Sequence, residues 1–354
     1  MLLLHFLMRI MKKKILVTGG TGYIGSHTTV ELINEGFDVV IIDNLYNSEK
    51  EIVDSISKIT GVRPSFEILD ICDSDKLRDF FDDNSDISAV IHFAAYKAVG
   101  ESVNKPLDYY RNNLTSLVNL LEEMKKRQIA NFVFSSSCTV YGQPETLPVT
   151  ENTPLQPATS PYGNTKQIGE EIIKDTVFAD TSLKAIALRY FNPIGAHPSA
   201  LIGELPRGTP ENLVPYITQT AIGLRDELRV FGNDYNTPDG YCIRDYLHVV
   251  DLAKAHVVAV KRLLEGKNKS RLEFFNLGSG KGVSVMEAIE AFEKVSGVKL
   301  KYKIVERRAG DIEKIWADPS YANAELGWKT ESSIDEAMKT AWDWETKINK
   351  NKQK

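Results

Sequence analysis

The chain has 354 residues, of which 42% are hydrophobic and 26% charged, a globular composition that excludes collagen-like and disordered classes. A formal net charge of −5 gives no electrostatic reason to bind nucleic acid or an anionic membrane, although a local basic pocket for a small anion stays open. The three cysteines, Cys72, Cys138 and Cys242, are widely spaced, so they indicate neither a disulfide framework nor a metal site and predict a reducing, cytoplasmic location.

The first eleven residues, MLLLHFLMRIM, contain an apolar run that is too short to span a bilayer. The strongest positive charge follows this run, which is the reverse of the order in a secretory signal peptide. We therefore expect residues 1–11 to be a disordered N-terminal extension or the product of an upstream start, with Met8 or Met11 as the alternative beginning of the chain.

From Lys14 onward, short apolar runs alternate with helical patterns. ILVTG predicts a first strand, GSHTTVELINEG a helix that ends at Gly36, and DVVIID a second buried strand. Further strands are predicted near 66–70, 89–95, 131–137 and 184–192, and helices near 75–83, 106–128 and 161–179. Because parallel neighbours need long crossovers, this alternation predicts an α/β fold with a Rossmann-type, doubly wound parallel sheet.

Glycines follow the first strand where the first helix begins. Gly19, Gly22 and Gly25 are spaced three apart in VTGGTGYIGSH, and glycine there allows a tight turn, close approach of a pyrophosphate and helix–strand packing. The helix N-terminus offers N–H donors to the anion. Asp43 ends the next strand, where its carboxylate would accept from ribose hydroxyls and repel a 2′-phosphate. The pattern predicts an NAD site, with a glycine-rich turn and a strand-capping aspartate as the alternative.

The stretch SPYGNTK opens the helix predicted near 161–179. Ser160 suits the N-cap and Pro161 the first helical position. Tyr162 and Lys166 are four residues apart, so their side chains are neighbours on one helix face. The Lys166 charge and the helix dipole are predicted to lower the pKa of the phenol toward that of a general base. For the motif alone, a surface tyrosine beside a solvated lysine is the alternative.

A change of composition after Asn192 indicates a domain boundary, because NPIGAHPSALIGELPRGTPEN is rich in proline and glycine. We expect an NAD-binding domain over residues 12–192 and a smaller α/β substrate-binding domain over residues 193–346. Part of 247–296 is expected to pack back on the first sheet. The second half is predicted to contain helices near 212–224, 249–264, 284–296 and 333–347, strands at LRVFG and FFNLG, and the segment KLKYKIVERR.

Four motifs occur in order along the chain: TGGTGYIGSH, SSSCTVYG, SPYGNTK and RYFNPIGAHPS. Together with strings such as AVGESVNKPLDYYRNN and RDYLHVVDLA, they resemble the extended short-chain dehydrogenase/reductase family, and in particular its NAD-dependent epimerases, from about Lys14 to Trp344. The resemblance implies a homodimer, formed through helices near 106–128 and 161–179, with bound NAD. It also implies interconversion of UDP-glucose and UDP-galactose by transient oxidation at C4, rotation of the 4-keto sugar and return of the hydride to its other face.

The same resemblance assigns tasks to individual residues, none of them metal ligation. Tyr162 would be the acid/base on the sugar 4-hydroxyl, Lys166 would hold the nicotinamide ribose and Ser137 would bind the same hydroxyl. Residues expected to contact NAD are Gly19, Gly22, Tyr23, Ile24, Gly25, Asp43, Asn44, Asp70, Ile71, Phe93, Ala94, Lys97, Asn112, Ser137, Tyr162, Lys166 and Tyr190. Residues expected to contact the UDP-sugar are Ser137, Tyr162, Asn192, Asn212, Leu213, Val230 and Phe231 beside the uracil, Arg244 and Arg308 on the diphosphate, Asp311 and Ile315.

Other functions stay open at this point. A dehydratase of the family carries an Asp-Glu pair after the position of Ser137, whereas this chain has Cys138 and Thr139. An NAD-sensing protein without turnover is disfavoured by the intact catalytic set, and a net-redox sugar reductase would need an exchangeable cofactor. Ile315 stands where the family uses a bulky tyrosine to exclude N-acetylated sugars or a small residue to admit them. We expect plain hexoses to be preferred, with UDP-N-acetylhexosamines left open as additional substrates.

Overall fold

A computed structural model of the chain describes residues 12–308 and 311–352, so the extension expected over 1–11 lies outside the described residues. Its strands are β1 (Lys14–Thr18), β2 (Asp38–Asp43), β3 (Ser65–Ile68), β4 (Ile87–His92), β5 (Asn131–Ser135), β6 (Lys184–Tyr190), β7 (Asn192–Ile194), β8 (Leu228–Phe231), β9 (Ile243–His248), β10 (Leu272–Leu277), β11 (Gly282–Ser284), β12 (Tyr302–Val305) and β13 (Lys314–Ile315).

The helices lie between these strands and along the end of the chain. They are α1 (Tyr23–Asn34), α2 (Glu51–Thr60), α3 (Ser74–Asp83), α4 (Val99–Asn104), α5 (Pro106–Lys126), α6 (Pro161–Ala179), α7 (Leu213–Ala221), α8 (Val249–Leu264), α9 (Val285–Ser296), α10 (Ser320–Leu326) and α11 (Ile334–Lys352), with a short 3₁₀ helix at Cys138–Tyr141. Across 12–308 and 311–352, none of these helices combines the length and the apolarity needed to cross a membrane.

The central sheet has seven parallel strands in the order β10-β6-β5-β4-β1-β2-β3. The chain first runs from β1 outward through β2 to β3, then returns to the other side of β1 at β4 and continues outward. The strand order therefore reverses between β1 and β4, the place where open α/β sheets bind ligands outside the carboxyl ends of their strands. The predicted doubly wound α/β fold is confirmed.

Both faces of the sheet are buried, which explains why its strands are continuously apolar in sequence. Ile15 and Val17 of β1 pack in one cluster with Leu252 of α8, whereas Leu16 between them packs in a second cluster with Leu120 of α5. This alternation follows from the two-residue period of a strand. The two clusters fix the sheet between helix layers, so the loops at its carboxyl edge start from rigid positions.

Two smaller sheets and a third apolar cluster lie in the second half of the chain. Strand β9 pairs with β7, β11 and β13, and β8 pairs with β12. Phe292 of α9 and Met338 of α11 are fully buried in the third cluster. Strand β10 instead continues the central sheet by pairing with β6, and α8 packs across the same sheet.

Several elements differ from the sequence-based expectation. Strand β9 was not predicted, because its buried Asp245 interrupts the apolar pattern; the carboxylate accepts hydrogen bonds from Ser279, Gly280 and Ala317 instead. The helices α2, α4 and α10 were also not predicted. The final helix continues to Lys352 rather than ending near 347.

Candidate active site

The turn after β1 requires glycine at two positions. Gly19 has a φ of +69°, and a Cβ added to it would lie 2.8 Å from the backbone nitrogen of Ala94. A Cβ on Gly25 would lie 2.8 Å from the Cα atom of Gly20, so the first turn of α1 packs directly on the loop. Backbone conformation and close packing therefore account for both residues.

The third glycine leaves space for a ligand. A Cβ on Gly22 would meet only the Gly19 carbonyl oxygen, at 3.1 Å, so this side of the turn is a cradle that a side chain would fill. Gly22 is also the N-cap of α1 and provides no side-chain cap for the helix. Together, the open cradle and the helix N-terminus fit the pyrophosphate of a dinucleotide.

Asp43 lies beside this turn at the carboxyl end of β2. It is buried, and its carboxylate accepts hydrogen bonds from the Thr21 N–H at 3.2 Å, the Leu45 N–H at 2.9 Å and the Ser48 hydroxyl at 3.1 Å. A carboxylate offers about four acceptor positions, so capacity remains for a ribose hydroxyl. These contacts hold the loop after β2 against the glycine turn.

The structure brings Asn44 and Asp70 together but not Ile71. The Asn44 amide donates to the Asp70 carboxylate at 3.3 Å, and both side chains are exposed at the carboxyl edge of the sheet. The side chain of Ile71 is 4% exposed and packs in the second core cluster. Its carbonyl oxygen accepts from Asn119 at 3.0 Å. The side chain of Ile71 therefore belongs to the core, and a contact of this residue with adenine stays a prediction that would involve its backbone.

The loop after β4 forms the other wall of the glycine turn. The Phe93 N–H donates to the Thr18 carbonyl at 3.0 Å, and the Ala94 N–H donates to the Thr18 hydroxyl at 3.3 Å. Lys97 lies 5.8 Å from the ring centroid of Tyr23, in the first turn of α1 next to Ile24. Lys97 also pairs with Glu204 at 3.0 Å. Predicted cofactor residues from two different loops thus meet at this turn.

Asn112 lies on α5 near the same loop. Its amide donates to the Asn113 side-chain oxygen at 3.0 Å, and Asn113 in turn holds both backbone groups of Tyr96. Asn112 is half-buried. In this arrangement Asn112 supports the loop after β4 through Asn113.

The predicted catalytic residues lie at the carboxyl end of β5 and in the first turns of α6. Ser137 is buried and accepts a hydrogen bond from the Thr139 N–H at 3.2 Å, which caps the 3₁₀ helix. Ser160 caps α6 by accepting from the Gly163 N–H at 3.1 Å, with Pro161 in the first turn. The predicted helix start at SPYGNTK is confirmed.

Tyr162 and Lys166 are neighbours, with the ammonium 5.9 Å from the phenol ring centroid. Lys166 donates to the Ser135 carbonyl at 2.6 Å. Burial raises the pKa of Tyr162 well above its ordinary value, while the Ser137 hydroxyl acts in the opposite direction. The predicted net lowering of the Tyr162 pKa is therefore wrong, because loss of water around the phenolate outweighs the favourable effect of the nearby charge.

Lys166 itself is affected by the same burial. Burial lowers the pKa of its ammonium to about 8, and the Glu170 carboxylate one turn further along α6 opposes this change. The ammonium is therefore still mostly protonated at neutral pH. A positive charge remains next to Tyr162, where it favours the phenolate.

A buried ion pair beneath these residues was not predicted. Arg189 donates to both carboxylate oxygens of Glu170, at 2.9 and 2.7 Å, and the two side chains are only 6% and 4% exposed. The Ser136 hydroxyl donates to Glu170 at 2.6 Å, and Arg189 also donates to Tyr141 at 3.0 Å. The signal in the sequence was an arginine inside the apolar strand KAIALRYFN, because a buried charge needs a partner.

Tyr190 and Asn192, two predicted site residues near Tyr162, differ in their hydrogen bonding. The Tyr190 and Ser135 hydroxyl groups form a hydrogen bond inside the protein. Asn192 begins β7, and its buried side-chain oxygen has no hydrogen-bond partner within the described part of the chain. Buried polar atoms are normally satisfied, so this oxygen is available to a ligand.

Asn212 and Leu213 lie where α7 begins. The Asn212 amide donates to Glu204 at 2.6 Å, on the same carboxylate oxygen that pairs with Lys97. Glu204, which was not predicted as a site residue, therefore links a predicted cofactor residue to a predicted substrate residue. Leu213 is half-buried against the third core cluster.

The predicted nucleotide pocket is gathered around β8. The Arg308 guanidinium lies 5.3 Å from the ring centroid of Phe231 and pairs with Asp311 at 2.7 Å. The side chain of Val230 is 1% exposed, because alternation along β8 turns it into the core while Phe231 points outward. The placement of Val230 and Phe231 beside the uracil stays a prediction, in which Val230 could contribute only its backbone.

Arg244 and Ile315 face each other in register on the paired strands β9 and β13. Arg244 is half-buried and donates to the Ile243 carbonyl at 2.9 Å. Ile315 is 2% exposed and belongs to the first core cluster, which also contains Tyr190. The structure thus places Ile315 at the base of this region rather than on its surface.

The structure has a glycine turn at the switch point of a parallel sheet, and a serine and a Tyr-x-x-x-Lys pair near the end of β5. This combination defines the class of nucleotide-dependent dehydrogenases/reductases. Residues 16–341 match the family model described as GDP-mannose 4,6 dehydratase. The chain is 50% identical over 331 residues to the UDP-glucose 4-epimerase of Haemophilus influenzae, covering 94% of this chain and 97% of that one.

Other relatives agree. Identity to the UDP-glucose 4-epimerase of Bacillus subtilis is 51% over 332 residues, covering 94% of this chain and 96% of that one. The crystal structure of UDP-glucose 4-epimerase from Bifidobacterium longum in complex with NAD+ and UDP has a TM-score of 0.91 and 46% identity, covering 95% of this chain and 99% of that one. The chain belongs to the GDP-mannose 4,6-dehydratase family and, within it, to the UDP-glucose 4-epimerases.

Replacing Glu170 should destabilise the protein strongly. In the Glu170→Gln variant, Arg189 would keep a buried charge without a counter-charge, so we expect a loss of about 3 to 5 kcal/mol in the free energy of unfolding in urea. The control is Glu171→Gln, because Glu171 is 64% exposed and, within residues 12–308 and 311–352, forms an ion pair only with the exposed Lys174. That change should cost less than about 0.5 kcal/mol. Equal costs for the two variants would contradict this role of the ion pair.

Proposed function

We propose that this chain interconverts UDP-glucose and UDP-galactose by inverting C4 of the hexose, with NAD as its resident cofactor. The observation that carries the proposal is the gathering of Ser137, Tyr162 and Lys166 at the end of β5, which only β4 separates from β1 and its glycine turn. Identity of 50% to a UDP-glucose 4-epimerase over 94% of the chain supports the same conclusion.

The cofactor would be held by groups already described. Gly22 and the N-terminus of α1 suit the pyrophosphate, Asp43 the ribose of the adenosine half, and Lys166 the ribose of the nicotinamide half. When bound, NAD supplies a hydride acceptor for C4, a positive charge near the phenol, and the same hydride for the return step.

Tyr162 performs the acid–base chemistry. Its phenolate takes the proton of the sugar 4-hydroxyl as the C4–H bond breaks, and its phenol returns a proton to the 4-keto oxygen when C4 is reduced. The side chain therefore ends each cycle in its starting protonation state. Burial disfavours the phenolate, so the nearby Lys166 ammonium and the Ser137 hydroxyl have to compensate for it.

The nucleotide part of the substrate would be fixed while the sugar turns. Arg244 and Arg308 are suited to the diphosphate, and the outward face of Phe231 is suited to stacking on uracil. The unpartnered side-chain oxygen of Asn192 can accept from a sugar hydroxyl. Asp311 pairs with Arg308 and would orient the guanidinium, and its carboxylate would accept from the uridine ribose or the sugar.

The residues of the site disfavour the competing activities. Dehydration needs an acid–base pair after Ser137, but Thr139 carries no titratable group and burial raises the pKa of the Cys138 thiol to about 12. A non-catalytic NAD sensor would have no use for the buried Tyr162 and Lys166 pair. A net-redox reductase would release its cofactor in every cycle, so retention of NAD during purification separates it from an epimerase.

The chain's organisation and location form part of the same proposal. Residues 12–192 form the NAD-binding domain and 193–346 the UDP-sugar-binding domain, with α8 and β10 contributed to the first sheet. The three cysteines are free thiols in the structure, in keeping with the reducing cytoplasm as its location.

Removing the Tyr162 hydroxyl should abolish turnover without loss of binding. Tyr162→Phe is expected to lower kcat for UDP-galactose by about a hundredfold or more, because the phenol is the group proposed to move the 4-hydroxyl proton. Bound NAD and the affinity for UDP should stay near the wild-type values. Tyr302→Phe is the control, since Tyr302 lies 44% exposed on β12. An intact wild-type protein that carries NAD but converts no UDP-galactose would refute the proposed function.

The size of residue 315 should control the preference between plain and N-acetylated sugars. We expect the wild type to favour UDP-galactose over UDP-N-acetylgalactosamine in a coupled assay. The relative rate on the N-acetyl sugar should rise through the series Ile315→Val and Ile315→Ala, by about tenfold for alanine. Ile304→Ala, on the exposed face of β12, is the matched control. If the ratio of the two rates were unchanged in folded Ile315→Val and Ile315→Ala variants, the proposed role of Ile315 in the sugar pocket would be contradicted.

The protein is proposed to be a homodimer through α5 and α6. Leu107 is 71% exposed and Val118 39% exposed on α5, and Phe178 is 83% exposed at the end of α6. We expect a sedimentation mass twice the 39.7 kDa of one chain, and a single-chain mass for the Leu107→Glu, Val118→Glu double variant. Leu224→Glu changes an equally apolar residue outside these helices and should leave the mass doubled. A single-chain mass for the wild type would contradict the proposal.

A further inference from the structure

The loop 44–48, between β2 and α2, lies directly on the glycine turn. The Thr21 and Ser48 hydroxyl groups are 2.7 Å apart, and Ser48 also donates to Asp43. Leu45 has a φ of +58°, a backbone conformation that side chains other than glycine rarely adopt. Surrounding contacts therefore have to hold this loop in its shape.

The first of these contacts joins two loops across the crevice. The ring centroids of Tyr46 and Tyr96 are 4.5 Å apart, with 31° between the ring planes. Tyr46 follows β2 and Tyr96 follows β4, and β1 lies between these two strands. Strands β2 and β4 are thus about 10 Å apart in the sheet. The aromatic pair bridges that gap above the carboxyl end of β1, where the glycine turn is.

The second contact comes from the other half of the chain. The Arg207 guanidinium donates to the carbonyl oxygens of Tyr46 at 2.8 Å, Ser48 at 2.7 Å and Leu45 at 3.3 Å. Three backbone acceptors on one guanidinium fix the path of loop 44–48, because this group is planar and its donors are rigidly arranged.

Arg207 belongs to a segment that also touches the substrate side. Within this segment, which runs from β7 to α7, Glu204 accepts from Lys97 at 3.0 Å and from Asn212 at 2.6 Å. Arg207 lies between Glu204 and Asn212 in this segment. A displacement of Asn212 is therefore expected to displace Arg207 and the loop that it contacts. The contacts connect the proposed UDP-sugar pocket with the proposed cofactor crevice.

We propose that Tyr46, Tyr96 and Arg207 hold loop 44–48 as a strap across the dinucleotide crevice, and that the strap slows release of NAD. Because Arg207 and Asn212 share one segment, a bound uridine diphosphate tightens the strap and slows release further. The inference rests on the proposed function only for the identity of the two ligands. None of the three side chains takes part in the proton transfer, so they are positioning residues.

The test measures exchange of NAD rather than turnover. Purified holoenzyme is mixed with excess isotopically labelled NAD, and bound label is counted after rapid gel filtration. Tyr46→Ala and Arg207→Gln should each exchange about tenfold faster than the wild type. Tyr46→Phe keeps the aromatic pair and Arg207→Lys keeps a donor, so both should exchange at rates closer to the wild type.

A matched control separates the strap from general weakening of the protein. Arg271 also donates to backbone carbonyls, those of Val177 and Asp180, but it precedes β10 at the opposite edge of the sheet. Arg271→Gln should therefore leave NAD exchange unchanged even if the thermal midpoint falls. Exchange that tracks the thermal midpoint across all these variants would overturn the proposal.

The coupling is tested by adding UDP. Saturating UDP should slow NAD exchange in the wild type and in Arg271→Gln, and it should have no effect on exchange in Arg207→Gln. Equal exchange rates in the wild type, Tyr46→Ala and Arg207→Gln would contradict the strap. Wild-type turnover of UDP-galactose decides the proposed function separately, and a wild type that binds no NAD would contradict both.

Discussion

Glu170 and Arg189 form a bidentate ion pair beneath the catalytic residues, and the site depends on it for its shape. Burying two charges is expensive, and the cost is offset only where geometry is good and the remaining donors and acceptors are satisfied. Here Ser136 and Tyr141 complete the set, so the pair joins α6 to the ends of β5 and β6. Tyr162 and Lys166 stand on that same helix.

The ion pair also sets the charge around the phenol. Lys166, Glu170 and Arg189 are all buried, and together they leave one net positive charge below Tyr162. Burial alone favours the neutral form of both side chains. It raises the pKa of Tyr162 and lowers the pKa of Lys166. The excess positive charge works against the first tendency by favouring the phenolate, and the Glu170 carboxylate works against the second by favouring the ammonium. A buried site that excludes water can therefore still contain a proton acceptor.

Local patterns were sufficient to predict the sheet class, the glycine turn and the start of α6, because each depends on residues close together in the chain. Strand β9 was not predicted since its buried Asp245 is satisfied by residues far away in sequence. Arg207 was not predicted as a site residue for the same reason, as its acceptors lie about 160 positions earlier. The Tyr162 pKa was predicted with the wrong sign because burial is a property of the folded chain.

The distribution of burial matches a reaction in which the cofactor stays and the sugar turns. Ser137, Tyr162 and Lys166 are all less than 9% exposed and are held by hydrogen bonds or by packing in α6, so the proton-transfer side is rigid. Phe231 and Arg308, by contrast, are exposed and contact each other across a loop. Rigid placement is needed where bonds are made and broken, since small displacements there cost much of the rate. A 4-keto sugar that must present both faces needs the opposite, an open pocket anchored only through its nucleotide.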